Sequence, residues 1–306
     1  MGTVPRCSVI IPTYNRAELL RLTLDALCRQ SVPTTEFEVL VVDDGSSDST
    51  AEVVESYRDR LPVRYFFQED QGWRVAKARN VGIANAAGDV CVFLDSGVVP
   101  HSGCVQAHVE SHDRADGPVA VVGYVYGFDV REKSPELLLE AVDFAEPDAG
   151  IEKLRSAGQW LDIREIFYAE NTDEFNDLPA PWAVYWTCNV SASTAQLRAV
   201  GGFDEAFQCW GGEDLDVGYR LHRDGARFVL NRSACAVHYP HEKSFEANEA
   251  QANTNYRYMA RKYDTPITRL LPFFGPELHS FNVNAVIRER GLPACADYLA
   301  QRGAAR

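Results

Sequence analysis

Long apolar runs are missing from this 306-residue chain. No stretch approaches the ~20 apolar residues that a membrane-crossing helix needs. Met1 to Arg6 lacks the apolar stretch of a secretion signal. Basic residues are scarce: 30 Lys and Arg stand against 44 Asp and Glu, a net charge of −14. Phosphate backbones need a basic face, so the balance argues against nucleic acid as the main partner, while a nucleotide needs only a few local cations. Paired cysteines are absent as well. Cys7, Cys28, Cys91, Cys104, Cys188, Cys209, Cys235 and Cys295 contain no C-x-x-C spacing, and several interrupt apolar runs, as in Val90-Cys91-Val92. They read as buried thiols in a reducing compartment, not as a disulfide frame. No G-x-G-x-x-G follows the first apolar run, which disfavours a dinucleotide oxidoreductase. These absences predict a cytoplasmic globular protein of one or two domains.

What is present alternates. Apolar runs at Cys7–Ile11, Glu38–Val42, Val63–Phe67 and Val90–Leu94 read as strands. Helical patterns lie between them. Asn15 with Glu18, and Ser49 with Glu52, resemble capping boxes, and a helix from Val75 to Ala86 stops before Gly88. This order predicts an α/β fold with a mostly parallel central sheet flanked by helices, and ligands beyond the carboxyl ends of the strands. Further on, Val119–Tyr126, Trp182–Val190 and Arg227–Leu230 read as strands, and Pro135–Phe144, Thr194–Val200 and Leu215–His222 as helices. A polar stretch around Glu170–Asp177 suits a lid or acceptor loop. From Phe245 the tail is mostly helical with Pro breaks.

Polar clusters follow the predicted strands. Pro12-Thr13-Tyr14-Asn15-Arg16 and Val42-Asp43-Asp44-Gly45-Ser46 sit at strand-to-helix turns, where backbone amides suit phosphate or ribose; plain turn chemistry is the alternative. Arg74, Lys77 and Arg79 lie near a helix start, a place that favours acids, so they make sense facing phosphate; a solvated helix face is the alternative. Asp95-Ser96-Gly97 ends a buried strand with a carboxylate suited to ribose or a divalent ion. Trp210-Gly211-Gly212-Glu213-Asp214-Leu215-Asp216 puts three acids at a helix start after paired glycines. Trp210 can stack on a sugar face, and crowding of Glu213 and Asp214 raises one proton affinity toward the range useful for a base. Trp160, Trp182 and Trp186 form an aromatic acceptor wall or belong to the core.

Taken together, Ser8-Val9-Ile10-Ile11-Pro12-Thr13-Tyr14-Asn15-Arg16, Val41-Val42-Asp43-Asp44-Gly45-Ser46, Ala78-Arg79-Asn80-Val81-Gly82 and Phe93-Leu94-Asp95 resemble the family 2 glycosyltransferases, which have the GT-A fold. The resemblance resumes from Asn189 to about His241. It implies a catalytic domain over 1–245, with a Rossmann-like nucleotide-binding half at 1–100 and an acceptor half at 101–245, and a helical C-terminal extension at 246–306. It also implies transfer of a hexose from a nucleotide-diphosphate sugar, UDP-linked by preference, to a hydroxyl or amine of a small-molecule or glycan acceptor. Pro12, Tyr14, Arg16, Asp44, Lys77, Arg79, Asp95 and Ser96 would line the donor site, and Trp186, Trp210, Gly212 and Glu213 the acceptor site. The W-G-G-E-D run is similar to that of inverting galactosyl- and N-acetylhexosaminyltransferases, which makes Asp214 the general base and Glu213 the holder of acceptor hydroxyls. Asp95 would open the D-x-D motif, but its second acid is replaced by Gly97. A divalent cation, Mn²⁺ or Mg²⁺, would then rest on Asp95 and His238, with His241 as the second choice. A sugar nucleotidyltransferase and a carbohydrate- or nucleotide-binding protein without catalysis are the competing readings. The scheme requires the groups around Asp44 and the acids after Trp210 to border one cavity.

Overall fold

The computed structural model describes residues 4–128, 135–241 and 245–304. The chain opens with β1 (Cys7–Thr13), α1 (Ala17–Leu27), β2 (Phe37–Asp43), α2 (Thr50–Glu55), β3 (Val63–Phe67), α3 (Val75–Asn85) and β4 (Val90–Leu94). A short β5 (Val98–Pro100), α4 (Cys104–Asp113) and β6 (Val119–Tyr126) follow. Next come α5 (Pro135–Ala141), α6 (Pro147–Ala157), α7 (Glu165–Asn171) and a 3-10 helix over Pro181–Val184. Then β7 (Asn189–Ser193), α8 (Thr194–Ala199), α9 (Glu213–Arg223) and β8 (Arg227–His238) complete the sheet half. The chain finishes with α10 (Phe245–Tyr263), α11 (Val283–Glu289) and α12 (Cys295–Ala304).

Eight strands form one sheet in the order β3-β2-β1-β4-β7-β6-β8-β5. The first four strands are parallel to one another. Every residue of β1, β2 and β4 is buried, as expected for strands covered by helices on both faces. Beyond β4 the sheet is mixed: β7 is antiparallel to both neighbours, β6 is parallel to β8, and β5 is antiparallel to β8. The first four strands are therefore uniformly parallel, and the rest of the sheet mixes both senses. The carboxyl ends of β1, β2 and β4 share one edge, since Cys7 pairs with both Phe37 and Val90. Among the described residues, no helix is long and apolar enough to cross a membrane.

Several local expectations are corrected. Asn15 does not cap α1: its φ is +50°, and its side-chain oxygen accepts from the Ser47 amide at 2.8 Å. Neither α1 nor α2 carries a cap from its own preceding side chain. Asp48 serves both, accepting from Ala17 N–H at 3.0 Å and Thr50 N–H at 3.1 Å. The apolar stretch after Ala180 is a 3-10 helix, with a strand only from Asn189. Trp182 and Tyr185 are fully buried there, and a Cβ on Gly218 of α9 would meet both. An apolar run reports burial, not conformation. β8 continues to His238 through an irregularity opposite Gly123–Tyr124, so the predicted strand at 227–230 is only its first third. The polar stretch near Glu170 holds α7 and one bridge, Glu174 to Val229.

Candidate active site

The site forms where β1, β2 and β4 end. At the end of β2, Asp44 is almost completely buried, with 7% of its surface exposed. Its carboxylate accepts from the Gln68 amide at 2.5 Å and from the Arg74 backbone N–H at 2.8 Å, and the Arg74 guanidinium lies 3.5 Å away. Gly45 follows with φ +96°, and a Cβ there would stand 2.4 Å from the Asp70 backbone nitrogen, so only glycine closes this turn. Asp70 in turn accepts from the Tyr14 hydroxyl at 3.0 Å, leaving the ring of Tyr14 exposed. Thr13 Oγ1 and Gln68 Oε1 are buried without a hydrogen-bond partner among the described residues. Pro12 is tied to the end of β4, its carbonyl accepting from the Ser96 hydroxyl at 3.2 Å.

Arg79 joins this region to the acidic helix. It projects from the middle of α3 and is 3% exposed. One guanidinium nitrogen donates to Glu213 at 2.9 Å and another to Asp95 at 3.1 Å. Its charged carbon also lies 5.4 Å from the centre of the Phe203 ring, which buttresses it from behind. Arg74, five residues earlier on α3, holds Asp44, and five helical residues rise only ~7.5 Å. Asp44, Asp95 and Glu213 are therefore tied to one another through the N-terminal half of α3. Arg16 lies close enough to Asp95 to feel its charge, and burial works against its own charged form. A cavity of about 530 Å³, bordered by Arg16, Asp48 and His241, opens beside it.

On α9, three acids stand in the first turn, after Gly211 (φ +84°) and Gly212 (φ +95°). Asp214 is half-buried, and its carboxylate accepts from the Leu215 N–H at 2.8 Å. Burial, and then the charge of Glu213, push its proton affinity up to about 8; Arg79 and the Leu215 amide pull the other way. Glu213 is 6% exposed, and its Oε2 has no hydrogen-bond partner among the described residues. Asp216 points away, fully buried against Arg220, Lys262 and Tyr263. Trp210 is 41% exposed at the rim.

The remaining predicted residues are less closely joined. Lys77, two positions before Arg79 and thus about 200° around α3, lies on a different face of the helix. Trp186 is partly buried among Phe128, Phe281 and Arg164, with its indole N–H on the Ala183 carbonyl. Trp160 and Trp182 are buried in the core, so they form no acceptor wall. His238 pairs in register with Val98, and the Tyr239 N–H donates to the Gly97 carbonyl at 2.8 Å, which sets this segment against the Asp95–Gly97 turn. The His238 ring stacks on His241 with centroids 5.0 Å apart. Among the described residues, no three His, Cys, Asp or Glu side chains cluster as a cation cage. Asp95, its side chain 42% exposed, offers a hard oxygen, and His238 an imidazole on the adjoining strand. That donor set fits a cation shared with a diphosphate better than one held by protein alone.

Sequence reasoning missed Gln68 and Asp70 around the turn after β2, and Tyr256 beside the start of α9. Burial, and then the charges of Asp214 and Glu213, raise the proton affinity of the Tyr256 phenol. None of these carries a motif of its own.

Two family models match the chain. Residues 8–162 match the family described as glycosyl transferase family 2, and residues 171–243 match the N-terminal domain of galactosyltransferase. A validoxylamine A glucosyltransferase of Streptomyces hygroscopicus subsp. jinggangensis is 40% identical over 267 residues, 87% of this chain. The chain spans 63% of that relative's length. A mannosyltransferase of Pyrobaculum calidifontis, solved with GDP-Man and Mn²⁺, superposes with a TM-score of 0.61 over 99% of this chain and 80% of its own, at 20% identity. S. aureus TarS 1–349, solved with UDP-GlcNAc, gives 0.59 over 93% of this chain and 71% of its own, at 21% identity. These likenesses show a shared GT-A fold.

Proposed function

Because this chain belongs to glycosyl transferase family 2, we propose that it moves a sugar from a nucleotide-diphosphate sugar to a hydroxyl or amine of an acceptor, with Asp214 as the base. The observation that carries this reading is the Arg79 bridge, which places Asp95 at the end of β4 and Glu213 at the start of α9 within hydrogen-bond reach of one guanidinium.

Each group then has a task. Thr13, Tyr14, Asp44 and Gln68 border the nucleoside, with the unpartnered Thr13 Oγ1 and Gln68 Oε1 available to the base. Arg16 and Arg79 offset charge on the diphosphate. Glu213 Oε2, buried and lacking a donor, accepts from an acceptor hydroxyl, and Trp210 packs on the acceptor's apolar face. Asp214 takes the proton of the nucleophile. The nucleophile bonds to the anomeric carbon as the bond to the diphosphate oxygen breaks on the opposite side, inverting that carbon. Asp95 and His238 would hold a divalent cation, whose chemistry is to neutralise the departing diphosphate.

A UDP-linked donor and a polyhydroxylated small-molecule acceptor are favoured by the likeness to a validoxylamine A glucosyltransferase and to TarS solved with UDP-GlcNAc. Eight unpaired cysteines support a reducing, cytoplasmic setting.

The test has two stages. UDP and GDP, and their sugars, are screened for a rise in melting temperature with and without Mn²⁺, since ligands that bind only the folded state raise it by mass action. UDP release from UDP-glucose is then followed with validoxylamine A as acceptor. Asp214→Asn is expected to cut kcat by ~10²–10⁴ while keeping the nucleotide-induced thermal shift. Full activity in that variant removes Asp214 from the base role, and absence of any nucleoside diphosphate effect sinks the transferase reading.

A further inference from the structure

Both family matches end by residue 243, and α10 begins at Phe245. Yet α10 makes direct polar contact with the turn before the acidic helix. Asn255, 5% exposed, directs its side-chain N–H₂ at three consecutive carbonyls: Cys209 at 3.0 Å, Trp210 at 3.4 Å and Gly211 at 2.6 Å. Its oxygen accepts from Cys209 Sγ at 3.4 Å. One helical turn earlier, the Gln251 side-chain oxygen accepts from the Trp210 N–H at 2.8 Å.

We propose that Asn255 is a positioning residue for the transfer reaction: from α10 it fixes the turn that presents Trp210 and opens the helix bearing Glu213 and Asp214. This rests on the reading of those residues as acceptor machinery.

The turn needs such a clamp. Gly211 and Gly212 both have positive φ, a conformation glycine enters easily and leaves as easily. Gly212, at the N-cap of α9, has no side chain with which to cap it. Carbonyls turned outward by that backbone would otherwise lie unpaired, and a single amide gathers them. A Cβ on Gly212 would stand 3.2 Å from the Asn255 Cβ and 3.7 Å from the Tyr256 ring, so α10 lies directly on the turn. The helix is anchored two turns further on. Lys262 and Tyr263 each lie 2.7 Å from the buried Asp216 of α9, and Lys262 also reaches Asp204 at 2.8 Å. Asp216 thus sets the register of α10 on α9, and Asn255 transmits that register to the turn.

The test compares wild type with Asn255→Ala, Gln251→Leu and Asp214→Asn. Two quantities are read: hydrogen exchange of the peptide spanning 205–215, and UDP release from UDP-glucose with validoxylamine A, varying donor and acceptor separately. Asn255→Ala is expected to speed exchange at 209–212, to lower kcat about 10- to 100-fold, and to raise the acceptor KM while the donor KM stays within about twofold. A residue that merely stabilises the fold would lower the melting temperature and leave the kinetic constants of the folded fraction and this exchange pattern alone; that result overturns the proposal. If Asn255→Ala fails to fold, Gln251→Leu decides: faster exchange at Trp210 with a smaller fall in kcat supports it, and no change in either overturns it. Full activity in Asp214→Asn with faster exchange in Asn255→Ala sinks the base assignment and leaves the clamp standing. Should this substrate pair give no turnover with wild type, the exchange result alone decides the clamp.

Discussion

Asp214 occupies a position that is poor for stability and suits the proton transfer proposed for it. Desolvation and the neighbouring Glu213 raise its affinity for a proton, and Arg79 only partly offsets this. A base with an affinity near 8 is mostly protonated at pH 6 and mostly ionised at pH 9. Turnover is therefore expected to climb about tenfold per pH unit below that midpoint and to level off above it, as a rate profile on UDP-glucose would show. The same shift has a thermodynamic signature of defined sign. A carboxyl whose folded affinity exceeds its unfolded one stabilises the protein at low pH and loses that contribution as pH rises through the folded value. Asp214→Asn escapes the loss. Its melting temperature is expected to exceed that of wild type at pH 8, with the difference shrinking toward pH 4. A variant that is inactive and equally stable at both pH values would contradict the burial of this acid.

Between elements, one acid organises two helix starts. Asp48 accepts from the first amide of α1 and the first of α2, and it also accepts from the Thr50 hydroxyl at 2.5 Å. Burial works to raise its proton affinity, but these bonds outweigh it and hold the group below the usual carboxylate range. Asp48→Ala removes both caps and is expected to cost ~1–3 kcal/mol, measured by urea denaturation, with Asp48→Asn recovering most of it. A loss below about 0.5 kcal/mol would show that the amides are served otherwise. Local patterns pointed to Asn15 and Ser49 instead, because a cap read from sequence is sought next to its own helix, and Asp48 reaches α1 from 31 residues away. The same distinction separates what was legible from what was not. β1 to β4 were readable because each is a short apolar run closed by polar or Pro residues, Asp95, Glu213 and Asp214 because they sit at a strand end and at one helix start, and Arg79 because it is a cation in the first half of α3. The antiparallel insertion of β7 beside β4 was not, since Asn189 meets Leu94 only through the folded sheet. Nor was Asn255, an amide inside an ordinary polar helix whose role exists only where α10 crosses the turn.

Across the whole molecule, the join between the parallel half and the mixed half is held by buried imidazoles. α4 lies against β7, the strand that joins β4 to β6. From α4, His108 bonds to Ser191 and Asn189, both at 2.9 Å, and His112 bonds to the same Ser191 at 2.9 Å. Asn189 also donates to the Ala234 carbonyl of β8, so this network spans the seam of the sheet. Burial keeps both rings neutral, lowering their affinities from 6.5 to about 4, with His112 further disfavoured by the nearby His108. At pH 8 the folded and unfolded chains carry almost the same charge at these sites. As pH falls below 6.5 the unfolded chain takes up protons that the folded one refuses, so stability drains away between pH 6.5 and about 4. A shift of this size is worth about 3 kcal/mol for the fully buried His108 and less for the half-buried His112. Denaturation curves taken between pH 7 and 4 should show that decline. His108→Gln, which keeps a donor and an acceptor without titrating, should flatten it. An unchanged slope in that variant would mean that the carboxylates, not this seam, set the acid limit of the fold.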